Sequence, residues 1–290
     1  MKFIERLQQP HLLFDGAMGT LLMQAGLPAG ASPDGWCLTH PDDVRAIHAA
    51  YLNAGAGVIL TNTLGANAVR QKRSKLDPAE LAAAGVRIAR EAVAASEKDA
   101  YVALDVGPLG EFIEPMGDLT EEEAVELFRV PVEAGAAAGA DCILIETMCD
   151  LTEALCAVRA AKTYGGGLPV LCTLSYGENG RLMTGAAIAQ CAAALEAEGA
   201  DAHGANCGVG PEQLVGLLPR FLESAHVPLL LKPNAGLPEM DGEHTVYRVG
   251  AGAFAETMKR LWDGGIWGVG GCCGTTPEHI RALAAAVKAL

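Results

Sequence analysis

The chain has 290 residues, 50% of them hydrophobic, with 21 basic against 35 acidic residues and a formal net charge of −14. An acidic chain without a dense basic patch is a poor partner for nucleic acid, and no apolar run approaches the roughly 20 residues of a membrane helix. Charges interrupt the opening MKFIERLQQPHLLF too early for a secretory signal, and nine irregularly spaced cysteines read as reduced thiols, so a cytoplasmic location is expected.

In chain order, the first apolar run is HLLFDGA (11–17), followed by a long segment from Met23 to Thr39 with scattered Gly, Pro and Ser. DDVRAIHAAYLNAG comes after Pro41, where Asp42 or Asp43 is placed to cap a helix. GVILTNT (57–63) is the second run. DPAELAAAGVRIAREAVAASEK then carries Asp77 as a cap and Pro78 at the first helical position. The third run, YVALDVGP (101–108), leads to LTEEEAVELFRVPVEAGAAAG, where Thr120 and Glu123 have capping-box spacing and Pro131 predicts a kink. DCILIETM (141–148), PVLCTLSY (169–176), DAHGANC (201–207), PLLLKPNA (228–235) and WGVGGCCG (267–274) continue the series. Ala- and Leu-rich helical patterns separate them, several stopping at glycine, and TTPEHIRALAAAVKAL closes the chain.

Continuous hydrophobicity suits strands covered on both faces. Eight strand–helix units without a dividing linker predict an α/β fold, a (β/α)8 TIM barrel filling residues 1–290 as one domain. An open doubly wound sheet is disfavoured because no GxGxxG follows the first strand. The working residues of such a barrel lie at the C-terminal strand ends. There the sequence places Asp15 and the turn at 16–19, Thr61 and Thr63, Asp105, Glu146, Asn206 and Cys207, Asn234, and the pair Cys272 and Cys273.

Glycines 270, 271 and 274 allow the backbone to turn sharply, so that both adjacent cysteines can ligate one ion. Cys207, two strands away, offers a third sulfur. Three thiolates suit Zn²⁺ and leave its fourth position open, where the Asn234 amide oxygen is a candidate ligand when substrate is absent. So coordinated, the metal is a weak Lewis acid, better at lowering the pKa of a substrate thiol than at activating water. Asp15 and Glu146 can grip an ammonium, and N–H groups of the turn at Gly16 a carboxylate, which describes an amino acid bearing a thiol. The plainer readings are buried small hydrophobes for the cysteines, loop caps or ion pairs for the acids, and strand formers for Thr61 and Thr63. Asp105 reads as a partner of neighbouring backbone, and the other six cysteines as core or helix residues.

The segments DGAMGTLL, TNTLGAN, VGPLGEFIEPMGDLT, IETMCDLTEA, GANCGVGPEQL, KPNAGLPE and GGCCGTTPEHI resemble the homocysteine S-methyltransferase family, from about residue 12 to 285. KPNAGLPE with GGCCGTTPEHI is most similar to the homocysteine-binding module of cobalamin-dependent methionine synthase. The resemblance implies Cys207, Cys272 and Cys273 as zinc ligands, Asp15 and Glu146 on the homocysteine amino group, and Gly16 and Thr61 on its carboxylate. It further implies attack of a zinc-held thiolate on a donor methyl group to give methionine. No Asp-x-His-x-x-Gly cobalamin stretch is present, so methylcobalamin on a separate corrinoid protein or module is the expected donor. The alternatives are a small S-methylmethionine- or betaine-type donor, and a non-catalytic subunit that loads homocysteine. Leu60 and Leu64 at the second strand and SYGENGRLMTG at the fifth depart from the family pattern near the mouth, where a donor or partner would touch.

Overall fold

The computed structural model describes residues 1–28, 30–242 and 244–288. Ala289 and Leu290, read from sequence as the end of the last helix, lie outside the described residues. Among the described residues there are ten strands: β1 (Leu12–Leu13), β2 (Val58–Leu60), β3 (Tyr101–Val106), β4 (Cys142–Met148), β5 (Val170–Leu174), β6 (Ala202–Asn206), β7 (Leu229–Lys232), the pair β8 (Glu239–Asp241) and β9 (His244–Val246), and β10 (Gly268–Val269). All but β8 and β9 form one parallel sheet in the order β1-β10-β7-β6-β5-β4-β3-β2. A parallel bridge between Phe14 and Val58, with the Gly57 N–H donating to the Leu13 carbonyl at 2.8 Å, joins the sheet's two ends. The result is the expected (β/α)8 barrel.

Three short helices, α1 (Phe3–Arg6), α2 (Met18–Gln24) and α3 (Trp36–Thr39), precede the eight that pack outside the strands. Those are α4 (Pro41–Ala54), α5 (Pro78–Ala95), α6 (Glu121–Ala137), α7 (Leu151–Tyr164), α8 (Ile188–Ala197), α9 (Pro211–Ser224), α10 (Ala251–Asp263) and α11 (Pro277–Val287). The Asp77 carboxylate caps α5, and Thr120 with Glu123 forms the reciprocal box on α6, as their spacing predicts. Helix α6 runs on through Pro131. At α4 the expectation needs correcting: Pro41 is itself the first helical residue, so Asp42 and Asp43 lie in the first turn and favour the helix dipole without capping it. Within 23–39, the end of α2 and the whole of α3 supply order that scattered Gly, Pro and Ser concealed.

The period of two decides what fills the barrel. Leu12, Phe14, Val58, Leu60, Tyr101, Ala103, Cys142, Leu144, Leu171, Ala202 and Leu230 form one buried cluster with Trp267. The lower end is stoppered by α1, whose Phe3 ring meets Tyr101 and Trp267 edge-on at 5.1 and 6.3 Å. Two residues further along the strands, the same inward alternation reaches Asp105, Glu146, Thr173 and Lys232, and on β6, four residues beyond Ala202, it reaches Asn206. The barrel interior is therefore apolar below and polar at its C-terminal end.

A repeated Gly-Ala-Asp starts β4 and β6. Gly139 and Gly199 adopt φ of 98° and 95° to end their helices. Asp141 then accepts from the Val102 N–H at 2.7 Å and Asp201 from the Val170 N–H at 2.8 Å, each tying the new strand to its neighbour. Because these bonds begin strands and lie away from the polar end, Asp141→Ala and Asp201→Ala should each cost about 1–2 kcal/mol. Urea unfolding should show that loss, with metal binding unchanged.

Candidate active site

Strand β7 ends in Lys232-Pro233-Asn234-Ala235, and its backbone fixes all three expected cysteines. The Cys207 N–H donates to the Lys232 carbonyl at 3.2 Å, the Cys272 N–H to the Pro233 carbonyl at 2.8 Å, and the Ala235 N–H to the Cys273 carbonyl at 2.9 Å. Cys207 and Gly208 both adopt positive φ, 57° and 65°, and turn the chain sharply after β6. The three sulfurs lie within 4.8 Å of one another, with Cys207 Sγ 3.9 Å from Cys273 Sγ. A tetrahedral ion with sulfurs at roughly 2.3 Å would set them about 3.8 Å apart. The sulfurs thus fit a soft metal ion, and Cys207, Cys272 and Cys273 could hold one.

The glycines around the pair make room rather than ligate. Thr275 threads between Gly16 and Gly271; a Cβ at either would sit 2.5 or 2.4 Å from its Oγ1. Thr275 Oγ1 donates to the Cys272 carbonyl at 2.7 Å and accepts from the Ala17 N–H at 3.1 Å, joining the first strand's loop to the last. Gly270 clears the Lys232 stem, whose Cγ would lie 3.3 Å from an added Cβ. At Gly274, with φ of 77°, the Tyr247 ring occupies the space of a side chain.

Asp15, Gly16, Thr61, Glu146 and the three cysteines line a cavity of about 860 Å³. Thr63 and Asn234 are not among its lining residues. The two threonine hydroxyls are committed to each other and to β3: Thr63 donates to the Asp105 carbonyl at 2.7 Å, so at 2.6 Å Thr61 donates to Thr63, while accepting from the Asp105 N–H at 2.9 Å. Neither hydroxyl keeps a proton for a ligand. Asn234 helps hold the Cys207 thiol below its ordinary value, and its Oδ1 is buried without a partner. That orphaned oxygen beside the sulfurs is a second feature that suits a metal.

Sequence reading passed over Lys232. It is 2% exposed, and its Nζ lies 2.9 Å from Glu146 Oε2. Burial pulls the lysine down, but Glu146 and then Asp15 more than offset this and hold it above its ordinary value. Asp15, whose Oδ2 accepts from the Leu60 N–H at 2.8 Å, is pushed up to about 7 by burial, against the pull of Lys232. Burial, then Glu146, raises Asp105 well above the usual carboxylate range. Within the thiol cluster, hydrogen bonds from Cys272 and then Cys273 lower Cys207. Lysine in the run PLLLK looks like a strand end, yet Leu230 is a core residue, and two residues on is the same face.

Asn206 is the other unanticipated organiser. Its Oδ1 accepts from the Thr147 N–H at 2.7 Å and the Thr173 hydroxyl at 2.8 Å, and its Nδ2 donates to Thr147 Oγ1 at 2.7 Å. Thr147 has φ of 64°, uncommon for a β-branched residue, at a register shift in β4. One carboxamide thereby holds the distortion next to Glu146. The remaining six cysteines are free; five are buried and Cys149 is partly exposed.

Three comparisons with known proteins agree with this geometry. The family model for homocysteine S-methyltransferase matches residues 12–287. Methionine synthase of Mycobacterium leprae (strain TN) is 32% identical over 98% of this chain, which spans only 25% of that protein's length. The oxidized form of the homocysteine methyltransferase MmuM from Escherichia coli superposes with a TM-score of 0.81 at 26% identity, covering 96% of each chain, and its metallated form with 0.80. With the matched segment running from the first barrel strand to the last helix, the chain belongs to the homocysteine S-methyltransferase family.

Proposed function

We propose that this protein is a zinc-dependent methyltransferase that converts homocysteine to methionine. The observation that carries the reading is the convergence of Cys207, Cys272 and Cys273 on one wall of an open cavity whose deeper wall is acidic. Zinc, when bound by these cysteines, would hold the substrate sulfur as a thiolate at neutral pH, ready to take the donor's methyl group. The chain's own residues do the rest. The carboxylate cluster containing Asp15 and Glu146 receives the amino group, and the backbone at Gly16 and Thr61 the carboxylate. Thr63 supports this wall through Thr61. Asn234, next to Cys207, is the residue to fill the fourth metal position when substrate is absent. Free cysteines throughout suit a reducing compartment, and we place the protein in the cytoplasm.

The donor is read from the mouth. Met23, Leu64, Phe112, Met116, Met183 and Met240 are all exposed, on segments that follow β1, β2, β3, β5 and β7. Exposed apolar side chains gathered on the substrate-entry face suit a macromolecular partner, and methionines suit an adaptable one. Arg70 and Arg73 line the cavity, and Tyr247 is the single aromatic ring among its described lining residues. A sulfonium or quaternary ammonium donor is better served by an aromatic cage than by arginines. These features support methylcobalamin carried by a separate corrinoid protein or methionine synthase module. A small free donor is the second reading, since this barrel also makes up 96% of the MmuM chain, named as a homocysteine methyltransferase.

Cys207→Ala, Cys272→Ala and Cys273→Ala should each abolish zinc retention and methionine formation while leaving the circular dichroism spectrum that of a folded barrel. Full metal content in all three variants would remove the assignment. Assayed with homocysteine, the zinc-loaded chain should turn over a methylcobalamin-loaded corrinoid protein faster than S-methylmethionine or betaine. Met240→Glu should slow that reaction while leaving homocysteine affinity unchanged. Faster turnover with S-methylmethionine would establish the small-donor reading, and methionine formed from none of the three would mark a homocysteine-loading subunit.

A further inference from the structure

The deep wall of the cavity carries more charge than its own partners account for. Asp15, Asp105 and Glu146 are 2%, 7% and 7% exposed, and all three line the cavity. A single cation, Lys232, stands among them, and its hydrogen bond goes to Glu146 Oε2 at 2.9 Å. Asp15 Oδ1 and Asp105 Oδ1 are both buried with no partner. Among the described residues, the Asp105 side chain makes no hydrogen bond; its backbone N–H and carbonyl are taken by Thr61 and Thr63. Buried carboxylate oxygens left unpaired are costly, and native proteins keep them where a ligand completes them.

We propose that Asp105 is a substrate-contacting residue that completes the ammonium site begun by Asp15, and that Lys232 is a positioning residue that fixes Glu146 beside them. The proposal rests on the homocysteine reading and refines it. An ammonium brings three N–H donors. Glu146 already has one oxygen committed to Lys232, so the two orphaned aspartate oxygens are the acceptors that await a cation. Lys232 is itself held in place: its carbonyl accepts from the Cys207 N–H, and its stem passes through the space that Gly270 leaves open. The residue that fixes a metal-binding cysteine by its backbone thus fixes an amino-binding acid by its side chain. Such a site selects thiols that carry an amino group. A thiol without one leaves both aspartates buried and unpaired, and sites built for a polar group reject analogues that lack it.

The test compares homocysteine with 4-sulfanylbutanoate, its analogue lacking the amino group, by titration calorimetry on the zinc-loaded protein. Wild type should bind homocysteine about 100-fold more tightly. Asp105→Asn should weaken homocysteine about 30-fold and leave the analogue within about twofold. The same variant should leave the melting temperature of the ligand-free protein at or near that of wild type, since the carboxyl it replaces has no partner to lose. Lys232→Met should lose amino selectivity, and Lys232→Met combined with Glu146→Gln should recover part of it, which a purely structural lysine would not do. An Asp105→Asn protein that binds homocysteine as wild type does, or that loses both ligands in parallel with a lowered melting temperature, overturns the proposal. If that variant does not fold, equal affinities of wild type for the two thiols overturn it instead. Wild type that binds neither thiol defeats the homocysteine reading itself, and this inference with it.

Discussion

The backbone of one strand end sets the geometry on which the site depends. Lys232, Pro233 and Ala235 form hydrogen bonds to the main chains of Cys207, Cys272 and Cys273 respectively. Strand β7 lies between the two neighbours that bear the cysteines, so it acts as the template on which the sulfurs are spaced. Proline suits its position because only its carbonyl is needed there. Nothing about the cysteines alone would bring them together. Their approach follows from parallel neighbours in a closed barrel, from a left-handed turn at Cys207, and from glycines that let Thr275 pass between two loops.

Above the apolar filling of the barrel, the inward-facing positions change character within one step of the strand repeat. Ala103 gives way to Asp105, Leu144 to Glu146, and Leu230 to Lys232. The lower residues contribute burial and the upper ones cannot solvate their charges there. This is why Asp15 and Asp105 are raised and why Lys232 stays charged: the acids around it hold the proton that burial alone would remove. The polar layer is an electrostatic field created by the fold and aimed at the mouth. A ligand carrying both a cationic group and a soft anionic sulfur matches its two sides.

Much of this was legible in the amino-acid order. Eight apolar runs, the caps at Asp77 and Thr120, and the thiols at strand ends all follow from patterns of short range. The motifs KPNAGLPE and GGCCGTTPEHI carry the family itself. What escaped notice depends on contacts distant in the chain. Lys232 reads as the polar end of a strand until its alternation with Leu230 places it inside. Asn206 looks like an ordinary polar neighbour of Cys207, yet it stabilises a distorted Thr147 from another strand. Thr61 and Thr63 have the right residue type for binding, but their hydroxyl protons are used within the scaffold. The β8–β9 hairpin, which brings Tyr247 to the cavity just past its second strand, is the local exception: Asp241-Gly242 in LPEMDGEHTVY is a hairpin signal, but the strands beside it are three residues each and lack an apolar alternation.

The two ends of the cavity make opposite demands, and this bears on how a methyl group reaches sulfur. At the deep end, acids, a buried lysine and committed hydroxyls leave little freedom, which suits one small zwitterion held in a single pose. At the outer end, Arg70, Arg73 and the exposed methionines present a wide and adaptable surface. Transfer in line would require the sulfur, the methyl carbon and the donor's leaving group to be collinear, so the donor must come from the open side of the sulfur. With Asp15 and Glu146 below and the cysteines on the wall, that side is the mouth. A donor borne by a large partner therefore meets no obstacle that a small one would avoid, provided its methyl group projects into the barrel. On the proposed reading the same layout bears on binding order: a partner seated across the mouth would close the route by which homocysteine would enter, so the amino acid would have to be in place first.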